Sequence, residues 1–244
     1  MKRLLTIFLI FSLLASCYSP RYIYSPSTQN IPLLSKKNDF AAAAYFASNS
    51  GATHSTFHPP NSSIGLDFHT AFAITNHFAV MLNQYKRWER NGNGNDFFSG
   101  DSLGIKYKRS LTEIGGGYFT ALKNNNSSFQ FFGGFATGKF LINEHSLKTR
   151  STFTRFHKSN LTKIFIQPAI VSGQQKNFTA SFSLRVSALL YNKIKTDYSD
   201  AELEDYFLKD ISHGAIIFWE PAMDYKFGFK KLKHIKFDVQ FGFS

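Results

Sequence analysis

From residue 39 onward the chain alternates apolar and polar positions with a period of two. Between Ser63 and Thr75, the side chains of Ile64, Leu66, Phe68, Phe72 and Ile74 fall on one face, with Thr70 among them. Gly65, Asp67, His69, Ala71 and Ala73 fall on the other. A strand sends successive side chains to opposite faces, so this is an amphipathic strand. Asn177 to Leu190 repeats the pattern. Phe178, Ala180, Phe182, Leu184, Val186, Ala188 and Leu190 make an uncharged face against Thr179, Ser181, Ser183, Arg185 and Ser187. At the C-terminal end Ile235, Phe237, Val239, Phe241 and Phe243 oppose Lys236, Asp238, Gln240 and Gly242.

The same test yields nine candidate strands, at 39–48, 63–75, 77–90, 102–121, 128–142, 160–171, 177–191, 213–227 and 233–243. Their connections alternate in length. Long ones lie near 49–62, 91–101, 143–159 and 192–212, and short ones near 75–77, 122–127, 172–176 and 228–232. Short turns at one end and long loops at the other are the layout of an all-β, up-and-down antiparallel β-barrel of about 8–10 strands. Glycines at 115–117 and 133–134 fit strands that bend sharply in a narrow wall. Nine antiparallel strands cannot close with an antiparallel seam. Either part of 20–34 supplies a tenth strand, or 39–48 lies outside an eight-stranded barrel; a parallel seam is rarer. One short helix is expected in the last long loop, where Ser199-Asp200-Ala201-Glu202 reads as a capping box.

Periodicity alone does not say which face looks outward. A soluble sandwich or lipocalin-like barrel keeps its apolar face inside, and a membrane barrel inverts the order. The apolar faces run for roughly the ten residues that a membrane-crossing strand needs. The opposite faces interleave Gly, Ala and Ser with single charges, which suits the tight interior of a narrow barrel.

The N-terminal stretch MKRLLTIFLIFSLLASC has a positive n-region at Lys2 and Arg3 and a short apolar run from Leu4 to Leu14. The run is too short to span a bilayer and reads as a cleaved secretory signal. Leu14-Ala15-Ser16-Cys17 resembles the bacterial lipobox, and Cys17 is the only cysteine. An ordinary signal peptide that happens to end in cysteine is the alternative. The resemblance implies cleavage before Cys17 and covalent diacylglycerol and fatty acid on that residue. Tyr18 is not aspartate, which by the same resemblance implies delivery to the cell outer membrane, lipid-anchored, with a periplasmic N-terminus. The expected domains are a signal peptide at 1–16, a lipidated tether at 17–38 and a β-barrel at 39–244. The tether holds three prolines and several serines after Cys17 and little periodicity, although Tyr22, Tyr24 and Leu33 could dock on the body.

Charge changes the picture less. Of 28 basic and 16 acidic residues, Lys2 and Arg3 leave with the signal, so 26 basic residues remain against 16 acidic. Such a balance often means nucleic acid, but an exported chain does not meet it. Outer-membrane lipid or lipopolysaccharide phosphates are the expected partners. The 28 Phe and 11 Tyr residues suit strands and aromatic girdles.

Together, the lipobox, the proline-bearing tether and the aromatic-rich strands ending in FDVQFGFS look like the small outer-membrane β-barrel proteins of Gram-negative bacteria. HTAFAITNHFAVML at 69–82 and EIGGGYF at 113–119 are similar to an uncharacterised lipoprotein group of this kind. Ser244 stands where that family usually ends in an aromatic. The resemblance implies no known activity, and no cofactor is expected beyond the acyl groups on Cys17.

Candidate chemistry lies on the polar faces, which collect Asp67, His69, Glu113, Lys163, Gln167, Arg185, Glu220, Asp224, Lys236 and Asp238. Buried charges must be paired, so an interior ion-pair network is the first reading. An acid–base site using His69 with Asp67 or Glu220 is the second. No serine-nucleophile motif, metal-spaced His pair or phosphate loop accompanies them. His54 and His58, four apart in a long loop, read as exposed histidines rather than metal ligands. Lys86, Arg87 and Arg90 flank Trp88, a pattern that suits a membrane interface. Three function classes follow. The first is a non-enzymatic barrel with a structural, adhesive or small-ligand role and no open pore. The others are a lipid- or lipopolysaccharide-modifying enzyme and a soluble periplasmic ligand-binding lipoprotein.

Overall fold

The structure, a computed structural model, describes residues 24–50, 62–93, 102–122, 126–148, 151–173, 177–229 and 235–242. Cys17, His54 and His58 lie outside these residues, as does Tyr22. The chain is all-β, with nine strands: β1 (Phe40–Ser50), β2 (Ser62–Ala73), β3 (Phe78–Asn93), β4 (Ser102–Ala121), β5 (Ser127–Lys148), β6 (Ser151–Ser172), β7 (Phe178–Thr196), β8 (Ile216–Gly228) and β9 (Lys236–Gly242). Each pairs antiparallel with the next in chain order, from β1 to β9, and the sheet curls into a nearly closed barrel. One short helix, α1 (Asp200–Asp205), lies between β7 and β8.

Alternation sorts the side chains cleanly. Phe46 is 69 % exposed and Trp219 63 %, and both look outward, as do Ile64, Leu66, Phe68, Phe135, Ile164 and Phe237. Glu113, Lys163, Arg185 and Asp224 are fully buried and look inward. The barrel is therefore apolar outside, while its interior mixes charged and polar side chains with buried apolar ones such as Phe119, Phe132 and Phe165.

Two expectations are corrected. The loop expected at 143–159 is mostly strand, since β5 and β6 stay paired from Ser127↔Ser172 to Lys148↔Ser151. Their upper ends interrupt the outward apolar pattern with Asn143, His145 and Lys158, although Phe156 still points outward. The backbone ladder continues beyond the apolar belt. The strand at 39–48 is not outside the barrel. β1 pairs with β2 from Phe40↔Phe72 to Ser50↔Ser62, and residues 24–34 form no strand.

With nine strands, β1 and β9 run in the same direction at the two edges. No ladder joins them among the described residues. The Tyr45 hydroxyl donates to Asp238 across this seam at 2.5 Å. A cleft of about 1440 Å³ lies along it, walled by β1, β9 and the residues that precede β1.

Opposite the seam, β4 and β5 approach very closely. A Cβ on Gly138 would overlap the Ser110 carbonyl oxygen, and one on Gly134 would overlap that of Ile114. Glycine is required there because backbone meets backbone.

Candidate functional site

The site is the barrel interior, and its organising element is the segment from Tyr24 to Ser35. This segment threads the lumen. Gln29, Asn30, Ile31 and Leu34 are buried, and the contacts descend step by step. Tyr24 packs on Phe218 with ring centroids 4.7 Å apart. Its hydroxyl accepts from Lys163 at 2.8 Å and donates to Glu220 at 3.2 Å. Lower down, the Gln29 side chain accepts from Ser183 at 2.7 Å, and Asn30 Nδ2 donates to Asn83 at 2.7 Å. The Asn30 carbonyl accepts from Gln167 at 2.9 Å and the Pro32 carbonyl from Gln130 at 2.7 Å. Leu34 ends among Ala71, Ala73, Ala79 and Phe119. A segment without a ladder must find partners for its backbone groups elsewhere, and here side chains of the wall supply them.

Around the segment lie four charge clusters. In the first, Glu113 accepts from Tyr85 at 2.7 Å and from Asn83 at 3.2 Å. Lys163 stands 3.1 Å and Arg185 3.5 Å from the same carboxylate. Lys163 also lies 3.7 Å from Glu220, which accepts from Ser187. Arg185 donates twice to Gln167, at 2.9 and 2.7 Å, and its guanidinium lies 4.9 Å from the Phe165 ring centroid. In the second cluster Arg87 grips Asp67 with both terminal nitrogens. The Thr28 amide and hydroxyl donate to the same carboxylate, the amide at 3.0 Å. In the third, Lys226 bridges Asp224, at 2.8 Å, and Asp238. In the fourth, Arg109 pairs with Glu89, its guanidinium 5.0 Å from the Phe140 ring centroid.

The residues Asp67, His69, Glu113, Lys163, Gln167, Arg185, Glu220 and Asp224 thus all face the lumen, with Asp238 at its seam side. Lys236 donates to Thr179 at 2.9 Å. Arg87 departs from the expected membrane-interface group. Lys86, Trp88 and Arg90 point outward, while Arg87 points inward to Asp67, because neighbours on a strand face opposite sides. Reading by parity instead of by local clustering finds Arg87. It also finds Glu89, Arg109 and Lys226, which the interior set lacked.

The acid–base alternative is not assembled as a relay. His69 Nε2 lies 3.2 Å from the Thr28 hydroxyl, and Tyr45 and Tyr85 pack on its ring. The hydroxyl gives its proton to Asp67, whose charge is already satisfied by Arg87. Among the described residues, Nδ1 of His69 has no hydrogen-bond partner to orient the ring. Among the described residues no three His, Cys, Asp or Glu side chains gather to hold a metal ion.

Above the plug, the long-loop end is covered by the connection that carries α1. Tyr198, Leu208 and Ile211 are buried against Tyr107, Phe140 and Tyr191. The Tyr198 hydroxyl donates to Glu144 at 2.7 Å, and Arg155 stands 3.4 Å from Glu202. Both halves of the expected capping box form, with the Glu202 amide donating to Ser199 Oγ and the Ser199 amide to the Glu202 carboxylate. The interior can clamp a peptide segment and close a lumen. Compared with protein-family models, curated proteins and solved structures, the chain matches none.

Proposed function

We propose that the protein is an outer-membrane β-barrel lipoprotein, anchored by acyl groups on Cys17. In this reading its lumen is plugged by its own N-terminal segment and its role is structural, adhesive or small-ligand binding, without an open pore. The observation that carries the reading is the inverted polarity of the wall. Exposed Phe, Ile, Leu and Trp side chains cover the outside, and the charges are gathered inside in pairs among buried apolar side chains. A monomer in water rarely exposes contiguous apolar area beyond a few hundred Å², whereas a bilayer requires such a belt. The inverted polarity also disfavours the soluble lipocalin-like reading, which needs the apolar face inside. The basic balance of the chain suits phosphate-bearing lipid or lipopolysaccharide as its surroundings.

Fatty-acid labelling and gel mobility test the reading together. Wild type should take up the label and Cys17→Ser should not. Both should stay with membranes and migrate differently before and after boiling. Equal labelling would remove the anchor. Release of Cys17→Ser into the soluble fraction, without a heat shift, would remove the membrane-spanning barrel.

A further inference from the structure

We infer that the chain upstream of Tyr24 leaves the barrel at its long-loop mouth, so that the acyl anchor on Cys17 enters the leaflet on the α1 side. This rests on the barrel-lipoprotein reading and reverses the expected periplasmic position of the N-terminus.

The two ends of the lumen segment mark the two mouths. Tyr24 joins the apolar cluster that contains Tyr198, Leu208 and Ile211 of the α1 connection. Leu34 joins the cluster around Ala73 and Ala79, which flank the short turn between β2 and β3. The Lys37 amide then donates to Asn76 in that turn at 2.9 Å, and β1 begins at Phe40. The direction is confirmed inside the wall. β7 rises from Phe178 toward α1, and Ser27 meets Arg185 while Gln29 meets Ser183, two residues lower. The segment therefore runs from the long-loop end to the short-turn end, and only then does the barrel start.

The heading of the segment sets the side on which Cys17 lies. Cys17 stands seven positions before Tyr24, a run of at most about 25 Å, and the chain enters the segment from the α1 side. To reach the opposite mouth the run would have to double back beside residues 24–35, against the direction that Ser27 and Gln29 mark on β7. In membrane barrels the long loops lie outside the cell and the short turns face the periplasm. The anchor then belongs to the outer leaflet, beside the long loops. The unladdered seam between β1 and β9 runs alongside the segment and offers a lateral way in before the wall closes.

Three single cysteine variants test this: Ser19→Cys upstream of the segment, Lys37→Cys at the short-turn mouth and Asp210→Cys beside α1. In intact cells a membrane-impermeant maleimide should label Ser19→Cys and Asp210→Cys, and Lys37→Cys only after lysis. Labelling of Ser19→Cys only after lysis, with Asp210→Cys labelled in intact cells, would overturn the inference. Spin-label distances on purified, acylated protein in detergent test the threading without reference to a membrane. With the variants combined in pairs, position 19 should lie nearer to position 210 in Ser19→Cys/Asp210→Cys than to position 37 in Ser19→Cys/Lys37→Cys, and the reverse order would overturn the threading. Identical labelling of Asp210→Cys and Lys37→Cys in cells would instead overturn the membrane-spanning reading and with it the leaflet, leaving the threading to stand or fall on the distances.

Discussion

Gln29 and Gln240 hold one another by a reciprocal pair of hydrogen bonds. The Gln29 backbone amide donates to the Gln240 side-chain oxygen at 2.6 Å, and the Gln240 side-chain nitrogen donates back to the Gln29 carbonyl at 3.0 Å. A side chain of the last strand thus does for the lumen segment what a neighbouring strand would do in a ladder. The Gln29 side chain in turn donates to the Glu220 carbonyl. One residue of the segment is tied to β7, β8 and β9.

Gln240→Leu should loosen the segment and leave the wall intact. It strands a backbone donor and acceptor, and each such unpaired buried group costs about 1–3 kcal/mol. Hydrogen exchange should rise for residues 27–31, with the circular dichroism of the strands unchanged. Unchanged protection would mean that Gln240 is not a clamp.

Arg185→Leu should destabilise the whole barrel. It removes a cation from Glu113 and both donors from Gln167. Breaking a buried pair by deleting one partner typically costs about 3–5 kcal/mol. The urea midpoint of the heat-shifted form reads the effect. Ile166→Val, on the outward face one strand away, should change it little.

The wall was legible in the sequence because period two is a property of the strand itself. Ile64 to Ile74, Phe178 to Leu190 and Ile235 to Phe241 each announced both their conformation and their two faces. The plug was not legible, because nothing in its own residues repeats. Gln29, Asn30 and Pro32 are placed by side chains from β3, β5, β6, β7 and β9, and partners so far away in the chain leave no local trace. Proline, serine and amides therefore read as a tether. The extended ends of β5 and β6 were missed for a related reason. Asn143, His145, Thr154 and Lys158 interrupt the outward apolar run there although Phe156 continues it, so the signal weakens where the ladder does not. Arg87 was misplaced because its neighbours Lys86, Trp88 and Arg90 suggested a cluster, whereas strict alternation assigns it to the face of Tyr85 and Asn83.

Gly138→Ala should hinder closure of the wall between β4 and β5. The added methyl would collide with the Ser110 carbonyl and crowd Leu111 Cα at 3.0 Å. Overpacking of a tight contact typically costs about 1–3 kcal/mol. A smaller folded fraction on unheated gels is the expected outcome, and Gly104→Ala, where the nearest atom is 3.9 Å away, is the control.

The cap of α1 should make the lid sensitive to acid. The Ser199 amide and then its hydroxyl hold the Glu202 carboxyl below its usual range, with Arg155 adding to the effect. A carboxyl lowered in the folded state stabilises it fully above the unfolded value, near 4.3, and ceases to do so as pH falls through the lower folded value. Amide protection in α1 should thus be level above about pH 5 and decline only in more acid solution. Ser199→Ala should weaken the helix by about 0.5–2 kcal/mol at neutral pH and flatten that decline. An unchanged acid response in Glu202→Gln, which cannot ionise, would separate Glu202 from the effect.

The plugged lumen should not conduct. Open aqueous pores belong to barrels of roughly sixteen or more strands, and narrow ones are filled by side chains. Here the filling is also a segment of chain, held by Asp67 through Thr28 and by Gln167 and Asn83 through Asn30. Purified wild type in a planar bilayer should show no steady current. Substituting Thr28, Gln29 and Asn30 together by alanine removes the side-chain grip while sparing every wall residue. That variant should give brief openings, because the segment can leave and expose the paired charges to water. Their ion selectivity should change when Lys163→Met is added, since a lumen cation is then lost. Steady ohmic current through the wild type would show that the segment does not seal the barrel and would make a small porin the better description.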